Sequence, residues 1–145
     1  MYRLGGISAL VIGTAYVATV GLYAQVGSPP SGGETSLVYF AGKTTVWWAI
    51  LGLSVATDVL YIPVALSLYF ALKDVNWNAM LVATALVALF VVLDLAVTWS
   101  NFASLIVLSG DYAAAANDAQ RAAAVAAASY ASAVLTSPLE RASTR

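Results

Sequence analysis

Cysteine and histidine are both absent from the 145 residues of this chain. Their absence excludes disulfides, thiol redox chemistry, Cys/His metal sites and haem held by either residue. It also excludes the Ser-His-Asp and Cys-His arrangements used in nucleophilic catalysis. The sequence therefore predicts a chain that is not an enzyme and that holds no metal and no cofactor.

The chain also has few charged residues. Charged residues make up 9% of it, against about 25% in an ordinary soluble domain, and 61% of it is hydrophobic. The six Lys/Arg and seven Asp/Glu residues nearly cancel, so no basic surface is available for nucleic acid. So few charges cannot cover a surface that faces water, and we expect membrane lipid to be its main partner.

Long apolar runs predict three membrane-spanning helices, over about residues 4–26, 44–72 and 79–108. The last two would each be about 43 Å long at ~1.5 Å per residue, which exceeds the ~30 Å of a hydrocarbon core. We therefore expect them to tilt or to extend beyond the lipid. The predicted fold is an all-α integral membrane bundle of these three helices and a short fourth one.

The remaining segments are less apolar. An alanine-rich stretch over 113–137, with Asp111 as its N-cap, predicts the short fourth helix. It would either pack against the other helices or lie at the membrane surface. Residues 27–43 read as a Gly/Pro/Ser loop, in which the amphipathic segment 35–42 would lie at the interface.

Two aspartates lie in the middle of apolar helices. Asp58 precedes the polar turn at 73–78 by about as many residues as Asp94 follows it, so an antiparallel hairpin places both at one depth. A carboxylate at that depth costs about 2.5–3.5 kcal/mol even on the gentler insertion scales, so both should face protein or water. Two such groups side by side cannot both ionise cheaply.

Helical spacing adds polar neighbours to this pair. Ser54 and Tyr61 share the face of Asp58, and Thr98 and Asn101 share the face of Asp94. We expect these side chains to form a polar cleft. Three interpretations stay open: a network that fixes helix register, a proton or cation site, and an intramembrane aspartyl protease, whose G-x-G-D signature is absent.

Small residues and one proline shape the first two helices. Gly5, Ala9, Gly13 and Gly21 recur at multiples of four, a pattern that permits close helix packing, either within the bundle or against another subunit. Pro63 removes the usual hydrogen-bond donor for the carbonyl of residue 59. The result is either a simple kink or a free oxygen beside Asp58 that helps to bind a cation or water.

Three motifs suggest a family. They are Arg3-Leu4-Gly5-Gly6 at the start, Tyr61-Ile62-Pro63-Val64-Ala65-Leu66 in the second helix, and Leu135-Thr136-Ser137-Pro138-Leu139-Glu140 near the end. Together they resemble a group of uncharacterised prokaryotic multi-pass membrane proteins, a domain of unknown function. The resemblance implies that this chain corresponds to the N-terminal half of such a protein and needs a partner to cover its exposed faces. It implies no activity and no site residues.

The function expected from these features is that of a structural or accessory subunit of a membrane assembly. Its partners would be further copies of the chain or other membrane subunits. The rival hypothesis is a proton- or cation-coupled carrier that uses Asp58 and Asp94. The balance of Arg3, Lys73, Arg141 and Arg145 predicts a cytoplasmic N-terminus in a prokaryotic inner membrane.

Overall fold

The computed structural model describes residues 2–30 and 32–135 of the chain. Regular structure in these two stretches is helical throughout, which confirms the predicted all-α class. In chain order the elements are α1 (Tyr2–Val26), α2 (Gly33–Ala41), α3 (Thr44–Leu72), α4 (Trp77–Leu93), a π-helical segment (Asp94–Trp99), α5 (Ser100–Ala114) and α6 (Asp118–Leu135).

Three stretches of the described chain are long and apolar enough to cross a membrane: α1, α3 and the continuous helix Trp77–Ala114. Their lengths are 25, 29 and 38 residues. At ~1.5 Å per residue each exceeds a hydrocarbon core of about 30 Å. The chain is thus a helical membrane protein, and α1 and α3 occupy the ranges predicted for its first two spans.

Helices α1 and α3 lie side by side and antiparallel. The Tyr2 hydroxyl donates to the carbonyl of Phe70 at one end, and the rings of Tyr23 and Trp47 meet at the other, 5.4 Å apart. Gly5 is buried at the contact, where the carbonyl of Pro63 approaches to 3.3 Å of the position that a Cβ would occupy. The missing side chain therefore lets the part of α3 around Pro63 come close to α1.

The Gly5 contact yields a first prediction. In a Gly5→Ala variant the new methyl group would overlap the side chain of Ser67 and press on the Pro63 carbonyl. We expect a loss of about 1–3 kcal/mol in the free energy of unfolding, the usual cost of overpacking. Thermal unfolding in mild detergent measures it. Gly6→Ala is the matched control because its Cβ would meet nothing within 4 Å, and equal midpoints for the two variants would contradict the packing described.

The third span runs back along α3. The rings of Tyr69 and Trp77 meet at the polar turn, 5.4 Å apart, and those of Trp47 and Phe102 stack at the far end, 5.8 Å apart. Within α4 the one buried residue is Val91. Met80, Thr84 and Val87 are half-buried against the chain, and the other side chains of this apolar helix are exposed towards lipid or a partner.

Helix α5 continues beyond the level of Trp47, near the start of α3, and there packs with α2 and α6 in a distal layer whose core also includes residues from the ends of α1 and α3. The Tyr112 hydroxyl donates to Glu34 Oε1 at 3.1 Å, and Phe40 meets Phe102 edge-on, which places α2 antiparallel to α5. The core of this layer is apolar and fully closed at Leu37, Phe40, Ile106 and Ala128. The membrane layer, by contrast, consists of α1, α3, α4 and the π segment.

Two boundaries differ from the prediction. Residues 33–41 of the expected loop form α2, whose apolar face is buried by α5 and α6 rather than by lipid. The expected N-cap Asp111 lies inside α5, and the chain breaks at Ala115, whose backbone is extended. The side chain of Asn117 accepts from the N–H of Gln120 and so begins α6.

Helix α6 realises the predicted alanine-rich helix from residue 118 onward. Its contacts are with α5 and α2, so it packs against protein in the distal layer. It is not among the three helices with the length and hydropathy of a span. Residues 136–137 of the predicted helix, together with Arg141, Arg145 and most of the third family motif, lie outside the described residues.

Candidate functional site

The structure brings Asp58 and Asp94 together in the middle of the membrane layer, as their spacing predicted. Asp58 on α3 is 3% exposed, and Asp94, the first residue of the π segment, is half-buried. Asp94 is close enough to Asp58 for their carboxyl groups to interact electrostatically. Two neighbouring carboxylates repel each other when both are ionised.

A tryptophan completes the pair. The indole Nε1–H of Trp99 donates to Oδ2 of Asp58 at 2.6 Å. Asp94 and Trp99 are the first and last residues of the π segment. Both ends of the segment therefore approach Asp58 on α3. A short hydrogen bond to a carboxyl oxygen in an apolar setting is among the stronger single contacts that a protein can make. It therefore ties α3 to the third span.

The π segment explains why Trp99, and not Thr98, reaches the acid. Regular helical spacing places Thr98 one turn after Asp94, on its face. A π turn contains one residue more than an α-helical turn, so Trp99 rather than Thr98 lies on the same face as Asp94. Thr98 is half-buried, and Trp99 makes the contact with Asp58. Trp99 was missed because regular helical spacing does not place it on the face of Asp94.

Tyrosines flank the acids on the side of the polar turn. Tyr61 points to α1, where its hydroxyl lies 3.3 Å from that of Tyr16, and its ring meets Phe90 edge-on. Tyr61 was predicted at this place, whereas Tyr16 was not. The two hydroxyls add a polar contact between α1 and α3 one turn from Asp58.

The predicted cleft does not assemble beyond this point. Ser54 is buried on the face of Asp58, and its carbonyl accepts from the Thr57 hydroxyl at 2.7 Å. Asn101 instead donates to the carbonyl of Val97 at 2.6 Å and lines a groove between α5 and α6. The π turn that brings Trp99 to Asp58 also turns Asn101 away.

An aromatic stack joins the acid pair to the distal layer. The ring of Phe102 lies between Trp99 and Trp47, 5.7 Å from the first and 5.8 Å from the second. Trp47 in turn meets Phe40 of α2 at 4.9 Å. Tilting Trp99 away from Asp58 would therefore disturb the packing of α2.

The C-terminus of α1 is capped by side chains from the end of α2 and the turn after it. Lys43 Nζ donates to the carbonyl of Val26 at 2.7 Å and lies over the ring of Tyr39, whose hydroxyl donates to the same oxygen at 2.8 Å. A cation at the negative end of the helix dipole is stabilising. Burial raises the pKa of Tyr39, so its hydroxyl keeps its proton and remains a donor.

The small residues of α1 divide between two faces. Gly5 packs against α3 near Pro63, as described above. Ala9, Gly13 and Gly21 lie on exposed positions, and a Cβ at Gly13 or Gly21 would meet nothing within 4 Å. The buried face of α1 runs instead through Ser8, Ile12 and Ala15.

The described residues of this site are suited to hydrogen bonding. Among the described residues no cluster of three or more acids offers a metal a full set of ligands. What the geometry supplies is two adjacent acids, one N–H donor and two hydroxyls, held between three helices. A comparison of the chain with family models, curated proteins and solved structures returns no match.

Proposed function

We propose that this chain is a non-enzymatic structural or accessory subunit of a membrane assembly, and that it packs against further copies of itself or other membrane subunits. The observation that carries the proposal is the outer face of α1. Gly6, Gly13 and Gly21 recur there about two turns apart, with open space where each side chain would be. Lipid chains make no specific contacts with these gaps, whereas a second helix can pack closely where the side chains are absent.

Helix α4 supports the same proposal. It has a single buried residue, and its contacts with the other spans are mainly with α3. The face that it leaves open is continuous and apolar, with exposed Leu86, Leu89 and Leu93. A partner that covers α4 would give the third span neighbours on both sides.

The acid pair fits a structural role in this subunit. Asp58 is closed off from solvent, and its Oδ2 is engaged by Trp99 on the neighbouring span. Buried polar contacts of this kind fix the register and orientation of packed helices. In this proposal Asp58 and Asp94 set how the third span meets α3.

The test is the mass of the full chain in mild detergent, measured by light scattering after size exclusion. We expect a defined oligomer or a stoichiometric complex, and a Gly13→Leu variant should dissociate at least half of it. Gly52→Leu on α3 is the matched control, since Gly52 also faces open space. A lone monodisperse chain would overturn the proposal, and so would equal dissociation by the two variants.

The second candidate is a proton- or cation-coupled carrier, favoured by the contact between Asp58 and Asp94 at mid-membrane depth. Reconstituted vesicles separate the two functions. For a subunit, Asp58→Asn and Asp94→Asn alter assembly or stability, and no flux is lost. For a carrier, they abolish pH-dependent flux and leave the oligomer intact.

We infer no more about orientation than the charges allow. Arg3 and Lys73 lie at the end of the membrane layer opposite the distal layer, whereas Lys43 and Arg121 lie on the side of the distal layer with Glu34, Asp111 and Asp118. Lys and Arg decide orientation, and two of those in the described residues lie on each side. The cytoplasmic N-terminus therefore stays a prediction.

A further inference from the structure

An open groove runs between α5 and α6, from the membrane layer into the distal layer. Much of its wall is formed by small side chains, among them Ala127 and Ala131, which lie one helical turn apart on α6. Small residues in this arrangement let another helix approach closely. No residue that lines the groove is charged, and its polar side chains are Asn101, Ser104 and Tyr130.

The two ends of the groove lie at different depths in the membrane. Asn101 follows the mid-membrane Asp94 by seven residues, or about 10 Å at ~1.5 Å per residue, which is within the ~15 Å half-thickness of a hydrocarbon core. Val107 follows Asp94 by thirteen residues, or about 20 Å, and so lies at the level of the headgroups. The polar end is thus surrounded by hydrocarbon and the apolar end by polar groups, so neither lipid nor water matches the groove.

The amide of Asn101 keeps both a donor and an acceptor for a partner. One of its two N–H groups donates to the carbonyl of Val97 at 2.6 Å. The second N–H and the oxygen Oδ1 have no partner among the residues that the structure describes. An unpaired amide is costly in hydrocarbon, because no water is present to satisfy it. The occupant of the groove must therefore offer one donor and one acceptor at the depth of Asn101.

We propose that this groove is the contact surface between two copies of the chain, related by a two-fold axis along the membrane normal. Asn101 of each copy donates its second N–H to Oδ1 of Asn101 in the other copy, so the two amides satisfy each other. Tyr130 is 74% exposed at the edge of the groove, and in the pair its ring is buried against the other copy.

A second copy fits the groove because it enters the membrane in the same orientation. The two-fold axis brings each residue to the depth of its equivalent, so polar end meets polar end and apolar end meets apolar end. A lipid chain, in contrast, has no hydrogen-bonding group at the depth of Asn101. The proposal rests on the proposed function, because it names one surface through which copies of the subunit meet.

The test is disulfide cross-linking of the full chain in reconstituted vesicles at a low ratio of protein to lipid. The chain has no cysteine, so Ser104→Cys introduces a single thiol one turn from Asn101, close to the proposed axis. Mild oxidation should then join the chains in pairs, since a disulfide forms only between Cα atoms within about 7 Å. Gly52→Cys on α3 is the matched control because Gly52 faces open space in the same half of the membrane layer, and it should cross-link at least fivefold less.

Variants of Asn101 test the amide contact itself. Asn101→Leu, added to Ser104→Cys, should reduce cross-linking at least fivefold. Asn101→Gln keeps both amide groups and should keep most of the cross-linking, and circular dichroism checks that the helices of both variants are intact. Gly13→Leu disturbs the separate face of α1 and should leave the cross-linking through Ser104→Cys unchanged.

The outcomes separate this proposal from the proposed function. Equal cross-linking with and without Asn101→Leu overturns the amide contact. An oligomer seen by light scattering, without cross-linking of Ser104→Cys above the Gly52→Cys control, overturns the groove as the contact surface and leaves the proposed function standing. A lone monodisperse chain overturns both.

Discussion

Replacing Gly33 with alanine is expected to force α2 away from α6 and to lower the free energy of unfolding by about 3 kcal/mol, the upper end of the cost of overpacking. A Cβ on Gly33 would lie 2.7 Å from the carbonyl oxygen of Val125 and 2.9 Å from the backbone nitrogen of Ser129. Backbone atoms inside a helix cannot rotate away, so a whole helix must move. The measurement is the unfolding midpoint in mild detergent, followed by circular dichroism.

Two further variants make this prediction specific. Gly42→Ala is the matched control because Gly42 ends the same helix and its Cβ would meet nothing within 4 Å. Adding Ser129→Ala to Gly33→Ala removes the serine hydroxyl but leaves the backbone contacts, so we expect little recovery. Full recovery in that double variant would show that the side chain, and not the close helix approach, excludes alanine.

The second large effect is expected from the contact between Asp58 and Trp99. Asp58→Leu removes the acceptor and leaves the indole N–H inside an apolar helix contact, at a cost of about 2–3 kcal/mol. Asp58→Asn keeps a carbonyl oxygen in nearly the same place, so it should cost less than half as much. Unfolding midpoints of the two variants, in one detergent and at one pH, measure the difference.

A double-mutant cycle separates the hydrogen bond from the bulk of the ring. Trp99→Phe removes the donor, and with Asp58→Leu it should give a coupling energy above about 1 kcal/mol, since contacting groups are not additive. Trp48→Phe is the control, because Trp48 is exposed at the membrane surface. Additive effects of Asp58→Leu and Trp99→Phe would mean that the hydrogen bond contributes nothing to stability.

The spans and the level of the acids could be predicted because each depends on local signals. Apolar runs bounded by polar turns set α1 and α3, and a constant rise per residue sets the depth of Asp58 and Asp94. Tyr61 also follows, since it lies on an uninterrupted helix within one turn of Asp58. No packing information is needed for any of these.

What could not be predicted depends on packing at a distance. The π segment changes the helical spacing after Asp94, and nothing in its sequence, DLAVTW, indicates a π-helix. For this reason Thr98 was chosen where Trp99 makes the contact, and Asn101 was assigned to the acids although it faces the groove. Helix α2 is only nine residues long and begins at a pair of glycines, so its stability comes from α5 and α6 and not from its own sequence.

The two-layer arrangement also sets an order in which the chain can be completed. α1 and α3 are made first and can pair at once, but α2, which lies between them in the chain, has its partners at residues 100–135. Because synthesis proceeds from the N-terminus, Leu37 and Phe40 stay unburied until α5 and α6 emerge. The closing of α6 over Gly33 is thus the last step in burying α2, and a chain that stalls before it presents an apolar, protease-accessible α2.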